Sequence, residues 1–236
     1  NIDGYNLQER PAANGMDLNR DQTKLTIPES IFLKSAFSNF NAEVAMDFHE
    51  FQPYRSDYLQ MGKAGYTVPY DVMILYTGNL NVPRSVRKLT ENVFVNNAEK
   101  ALAQNNLTYH DYFTTADANG TTVFNVGSIN ARSSATSYAL SNAVSTLFEV
   151  RGIGLGRTSF KRRTATTFLL AKSYMESAVS NKAELRDILS KSLDDNKHVI
   201  IKSNREASVE PLDFIDLRTN KLIQEDVEIR NALKSR

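Results

Sequence analysis

Apolar and polar positions alternate along the chain with two periods, and the changes of period mark its elements. After a loop-like stretch over residues 1–25, with Asn14-Gly15 as a turn, Pro28 stands where a helix can begin. Ile31, Phe32, Ser35, Ala36 and Phe40 then recur at helical spacing, which predicts an amphipathic helix over 29–40. Short apolar runs predict strands at 43–48, ending at His49, and at 71–76, with a long loop over 51–70. A second helical period covers 83–104, carried by Val86, Leu89, Val93, Ala98 and Ala101. Strands are expected at 107–113, 121–126 and 146–150, and helices at 138–144, 158–180 and 181–193. Alternating helices and strands argue for an α/β fold.

The texture changes from Lys197. The runs KHVIIKS, SVEPLDFIDL and NKLIQEDVEI are strand-like, with no helical period between them. A boundary near 195 follows, with 196–236 as the start of a β-rich accessory domain. No internal repeat and no stretch of about 20 apolar residues interrupts this order.

Composition narrows the chemistry. The 28 basic and 27 acidic residues nearly cancel, so charge gives no case for nucleic acid or an anionic membrane as partner. Cysteine is absent, which excludes disulfides and thiolate metal sites. The chain opens on NIDGY without a signal peptide or initiator Met, and reads as part of a longer protein.

Candidate chemistry gathers in three islands: GMDLNRD (15–21), AMDFHEF (45–51) and TLFEVRG (146–152). Arg20 offers a planar fork that fits a carboxylate in two-point contact, and the adjacent Asn19 amide adds a donor. Alone, such a dipeptide most often sits solvated on the outside of a protein. His49 ends an apolar strand and is flanked by Asp47 and Glu50; Asp47 lies on the same face and can accept the second ring proton. A lone histidine is usually a hydrogen-bonded core residue, and His110 and His198 offer no HxH or HxxE spacing to complete a metal site. Glu149 sits within an apolar strand, where an unpaired carboxylate is costly, so it is either a salt-bridged residue or a general base. The run from Arg151 to Arg157, RGIGLGR, lacks the GxGxxG and GK[ST] patterns and reads as a loop rather than a nucleotide site.

Taken in order, NIDGY, GMDLNRD, DFHEF and FEVRG resemble the zinc carboxypeptidase family over roughly residues 1–180, in a form most like its bacterial members. The resemblance implies an α/β fold, a three-layer α/β/α sandwich on a mixed sheet, with residues 1–195 as the C-terminal portion of the catalytic domain and its N-terminal half missing. It implies a hydrolase that removes C-terminal residues from peptides with a free C-terminal carboxylate. Asn19 and Arg20 would bind that carboxylate, Glu149 would activate a zinc-bound water, and His49 would be one zinc ligand. Asp17 would orient a zinc-bound histidine, and Arg10 would polarise the scissile carbonyl. No tyrosine matches the family's active-site tyrosine closely; Tyr138, eleven residues before Glu149, is the nearest substrate-binding candidate. The family's other two zinc ligands lie in an HxxE motif upstream of the first island, so this chain holds one of three. A periplasmic or secreted location suits such an enzyme. An amidase or deacylase of the same fold, and a non-catalytic binding domain without the metal, are the alternatives. Arg132 is the candidate for contact with an acidic substrate side chain.

Overall fold

The computed structural model describes residues 15–192 and 198–234, so Arg10 and the NIDGY island lie outside the described residues. After a single 3-10 turn at Leu18–Arg20, the order is α1 (Pro28–Phe40), β1 (Val44–Phe51), α2 (Ser56–Leu59), β2 (Tyr66–Thr67), β3 (Val72–Tyr76), α3 (Arg84–Leu89), α4 (Asn96–Gln104), β4 (Tyr109–Asp111), β5 (Phe113–Ala118), β6 (Thr121–Val126), α5 (Ser134–Leu140), β7 (Val144–Arg151), α6 (Phe160–Ser180), α7 (Lys182–Ser192), β8 (Glu206–Asp216) and β9 (Lys221–Asn231). A widened π turn at Thr90–Val95 joins α3 to α4, so the expected 83–104 helix runs almost unbroken. The expected helix at 138–144 lies earlier, at Ser134–Leu140, because Val144 already belongs to a strand.

The architecture is mixed α/β. One sheet has the order β1-β7-β3-β4; β7 runs parallel to β1 and antiparallel to β3, and β3 runs parallel to β4. Its central strands are buried on both faces, which is why β3 and β7 read as continuous apolar runs. Successive side chains on these strands point to opposite faces. Val72, Ile74 and Tyr76 of β3, with Val144, Phe148 and Val150 of β7, join Phe94, Leu102, Leu170, Tyr174 and Leu185 in one core against the long helices. Phe48 stacks on Phe148 at 5.2 Å, and Tyr174 meets Phe148 edge-on at 5.1 Å.

The other face of that sheet turns to α5 and to a second sheet of order β2-β8-β9-β6-β5. The tail strands β8 and β9 form a hairpin in which β8 pairs with β2 and β9 runs parallel to β6. Sheet hydrogen bonds therefore cross position 195. The expected strand in KHVIIKS does not form over 198–203. Val199 and Ile201 are exposed there, and Ile200 is bonded to the Asn81 amide through its N–H at 2.7 Å and its carbonyl at 2.9 Å.

Helix α1 forms where expected, but its buried stripe is a different one. Ser30, Lys34 and Phe37, spaced by four and three residues, are its least exposed positions, and Lys34 and Phe37 meet α5. Lys34 donates to Ser137 Oγ at 2.7 Å and lies 4.7 Å from the Tyr138 ring centroid. Ile31, Phe32 and Phe40 are 49%, 71% and 84% exposed. The helix carries Lys34, Ser35 and Ser38 on the side away from Leu33, Ala36 and Phe40, and it is the Lys34–Phe37 edge rather than the apolar stripe that meets α5.

Candidate functional site

Strand parity assembles the site. On β7 the even positions fill the core, so Leu147 and Glu149 face the opposite side, beneath α5 and the second sheet. On β1 the even positions Met46 and Phe48 do the same, which turns Asp47 and His49 to the side of Glu149. Register then sets His49 directly across from Glu149 on one flank, and Met73 across from it on the other.

A chain of polar contacts leads from Glu149 to the first island. The His49 Nδ1 lies 3.7 Å from Glu149 Oε1, and its Nε2 donates to Asp47 Oδ2 at 3.1 Å. Ser134 Oγ donates to the same Asp47 oxygen at 2.6 Å, and the Ser134 N–H donates to Asn19 Oδ1 at 2.8 Å. Asp17 Oδ1 in turn accepts the Asn19 N–H at 2.9 Å. Ser134 is the first residue of α5, whose N-cap Ser133 makes no side-chain cap bond, so the Asn19 oxygen serves as the cap from outside. That contact uses the amide's acceptor, and its donors make no bond to the described residues.

Burial disfavours a charged imidazole at His49, but the Asp47 and Glu149 carboxylates outweigh it and push its pKa up to about 9. Burial also works on Asp47, yet the bonds from His49 and Ser134 hold its carboxyl below its ordinary value. The carboxylates on either side thus favour the protonated form of His49.

Two clefts meet at Glu149. One, of about 180 Å³, is lined by Asn19, Arg20, Arg132, Arg205, Ser128 and Glu149 among others. The other, of about 600 Å³, is lined by Glu149 together with Glu50, Arg55, Asp57, Met73 and Asp117. Tyr112 borders both. Asn19, Arg20 and Glu149 are therefore brought to one cleft, with Asp17, Asp47 and His49 linked to it by hydrogen bonds.

Tyr138 is not brought there. It stacks on Phe37 at 4.3 Å, lies under Lys34, and lines neither cleft, because α1 covers its side of α5. His110 sits on β4, three strands from His49, tilted against the Tyr70 ring and edge-on to Phe113. On α6, Arg162 forks onto Asp71 at 2.6 and 2.7 Å, and Arg163 bonds Glu50 and the Gly152 carbonyl. Sequence reasoning missed Ser134, Tyr112 and Arg205. None lies in a motif; they reach the site only because α5, β5 and the segment before β8 close around it.

The described residues do not form a metal site by themselves. Both ring nitrogens of His49 turn to carboxylates, and among the described residues no three His, Asp or Glu side chains are grouped to hold an ion. Among the described residues no helix is long and apolar enough to cross a membrane.

No protein-family model matches the chain, and no solved structure matches it. Several curated proteins do. Carboxypeptidase 2 of Trichophyton rubrum is 28% identical over 195 residues, which cover 82% of this chain and 36% of that protein. Probable carboxypeptidase 2 of Arthroderma benhamiae and of Trichophyton verrucosum match with the same identity and the same share of this chain. These relatives are fungal, and the similarity carries nothing specific to bacterial enzymes. Along most of its length the chain is thus similar to proteins named as carboxypeptidases, and it spans about a third of their length.

Proposed function

We propose that this chain supplies the carboxylate-anchoring and proton-handling part of a peptidase that releases C-terminal residues. The observation that carries the reading is that Arg20 and Asn19 line the same small cleft as Glu149. The Arg20 guanidinium takes the terminal carboxylate in two-point contact, and the Asn19 amide donors, fixed by Ser134, add a third bond. This sets the last peptide bond beside Glu149, held in place by core packing on both neighbouring strands.

Glu149 then acts as general base: it takes a proton from the water that attacks the carbonyl carbon. As the C–N bond breaks, the same proton passes to the departing amine, which leaves an acid, an amine and a regenerated carboxylate. Asp47 and Ser134 fix the orientation of His49 beside Glu149. Zinc remains part of the proposal for the longer polypeptide, with His49 as the ligand this chain offers; the described residues do not complete its site, and the steps above do not pass through it.

The reading predicts, for the full-length protein, that Arg20→Gln lowers kcat/KM on a peptide with a free C-terminus by about 100-fold, the loss of a charge-assisted pair. The C-terminal amide of the same peptide should be a poor substrate for wild type and little altered by the substitution. Equal hydrolysis of acid and amide by wild type would overturn the anchor.

A further inference from the structure

The small cleft holds more positive charge than one terminal carboxylate needs. Arg20, Arg132 and Arg205 all line it, and Glu149 is the sole acid among the described residues that line it. The three arginines come from the first island, the loop before α5 and the segment before β8. Among the described residues none forms an ion pair: Arg20 donates to the Asn19 carbonyl at 2.8 Å, and Arg205 Nη1 donates to Asn125 Oδ1 at 2.7 Å. The backbone that carries Arg132 is fixed at both ends, its N–H bonded to Asn130 Oδ1 at 3.2 Å and its carbonyl to the Gln22 N–H at 3.4 Å. Guanidinium groups gathered around one concave surface without carboxylate partners raise the local potential and favour an anion there.

Building on the reading of Arg20 as the carboxylate anchor, we propose that this cleft selects a C-terminal residue that itself bears a carboxylate, with Arg132 and Arg205 holding the side-chain anion. Three further features fit. The remaining lining is rich in Thr114, Ser128, Asn130 and Ser133, with Leu75 and Leu147 as the aliphatic members, a poor wall for a large apolar side chain. The volume of about 180 Å³ equals roughly six water molecules at about 30 Å³ each, room for one short side chain. The second cleft, on the far side of Glu149, has the opposite balance: Glu50, Asp57 and Asp117 stand there against Arg55. An acidic residue is repelled from that side and drawn to the arginines, so the two clefts also set the direction in which a substrate lies across Glu149.

The test is binding rather than turnover. Full-length protein is titrated calorimetrically with N-acetyl-L-glutamate, its γ-methyl ester and N-acetyl-L-leucine. The expected result is that N-acetyl-L-glutamate binds about fivefold tighter than the other two, the worth of one partly exposed ion pair, and that this preference shrinks with added salt. The double substitution Arg132→Gln/Arg205→Gln should bring the ratio near one, whereas Arg20→Gln should weaken all three ligands together. Equal binding of glutamate and its γ-methyl ester by wild type overturns the acidic preference and leaves the anchor standing, and that comparison needs no variant to fold. Failure of all three ligands to bind overturns the anchor itself and the preference with it.

Discussion

Gly78→Ala offers the sharpest check of how the fold supports the cleft. Gly78 follows β3, and its N–H donates to the Ser128 carbonyl at 2.9 Å, beside the bridge between Thr77 and Ser128. On its other side the chain leaving β9 passes so close that an added Cβ would lie 2.0 Å from the Ala232 carbonyl oxygen and 2.6 Å from its carbon. The oxygen is about 1.4 Å short of the 3.4 Å at which ordinary contact begins, and it belongs to backbone rather than to a flexible side-chain tip. Relief requires moving 232–233 outward, against the 2.8 Å bond from the Ala232 N–H to Val126, or pushing Gly78 back onto Ser128.

Overpacking costs about 1–3 kcal/mol. A strained or broken backbone bond adds about 0.5–1.5 kcal/mol. Reduced freedom of the unfolded chain returns about 0.4–1 kcal/mol. A net loss of about 2–3 kcal/mol is expected, or roughly 5–10 °C in Tm for a chain of this size. Urea unfolding and thermal melts measure it. Hydrogen exchange localises it, since the Gly127 N–H, bonded to the Tyr112 carbonyl at 2.8 Å, should lose protection along with its neighbours. Gly120→Ala is the contrast: nothing lies within 4 Å, its φ is +83°, and only the roughly 1–2 kcal/mol of left-handed strain applies. If Gly78→Ala is as stable as wild type, or costs no more than Gly120→Ala with Gly127 still protected, the close passage of 232–233 over Gly78 is wrong.

Two further outcomes follow from buried or paired polar groups. Asp71 is pushed up by burial, but the Arg162 fork and the Thr108 N–H bring its pKa below 3.8, so its stabilising effect is present above that value and fades as pH falls through the lowered pKa. Because Arg162 is 48% exposed, Asp71→Asn should cost only about 1 kcal/mol, constant from pH 5 to 8 and shrinking below about pH 4; a gap that widens on acidification refutes the assignment. Tyr174→Phe strips the 2.9 Å donor from the buried Thr146 Oγ1 and should cost about 1–2 kcal/mol in urea unfolding; paired with Thr146→Val it should cost less than the two singles together, and strict additivity would show that the bond does not couple them.

The strands were the most legible part of the sequence. DVMILY and TLFEV are apolar runs too dense for a half-exposed strand, and both became central strands buried on both faces. Helix existence was equally clear, but the covered stripe of α1 was not: apolar spacing favours Ile31, Phe32, Ala36 and Phe40, whereas α5 meets Lys34 and Phe37 and leaves Ile31, Phe32 and Phe40 exposed. The tail's strands were visible, whereas their pairing with β2 and β6 was not, since a strand's sequence shows its hydrogen-bonding capacity and not its partner. The site divided in the same way. Asp47 and His49 are two residues apart, and their contact could be read from strand period alone. The contact of Asn19 with Ser134 spans 115 positions and depends on where α5 begins, one turn earlier than its apolar spacing indicates.

What made Glu149 readable is that the core and the site depend on one register. Val144, Phe148 and Val150 must face the long helices, and with period two this sends Glu149 to the other side. Pairing with β1 then brings His49 opposite, because Phe48 must meet Phe148. A slip of one residue in β7 would drive the Glu149 carboxylate into the space of Phe148, against Tyr174, where no cation waits, and would expose Phe148 at the junction of the two clefts. Burying an unpaired carboxylate costs more than any single contact in the site supplies, so the apolar pattern alone selects the register that places the acid and the imidazole together. The arginines carry no such constraint. Arg20, Arg132 and Arg205 lie on loops whose backbone bonds would survive their replacement, so the core fixes where Glu149 stands and the loops decide what charge stands around it.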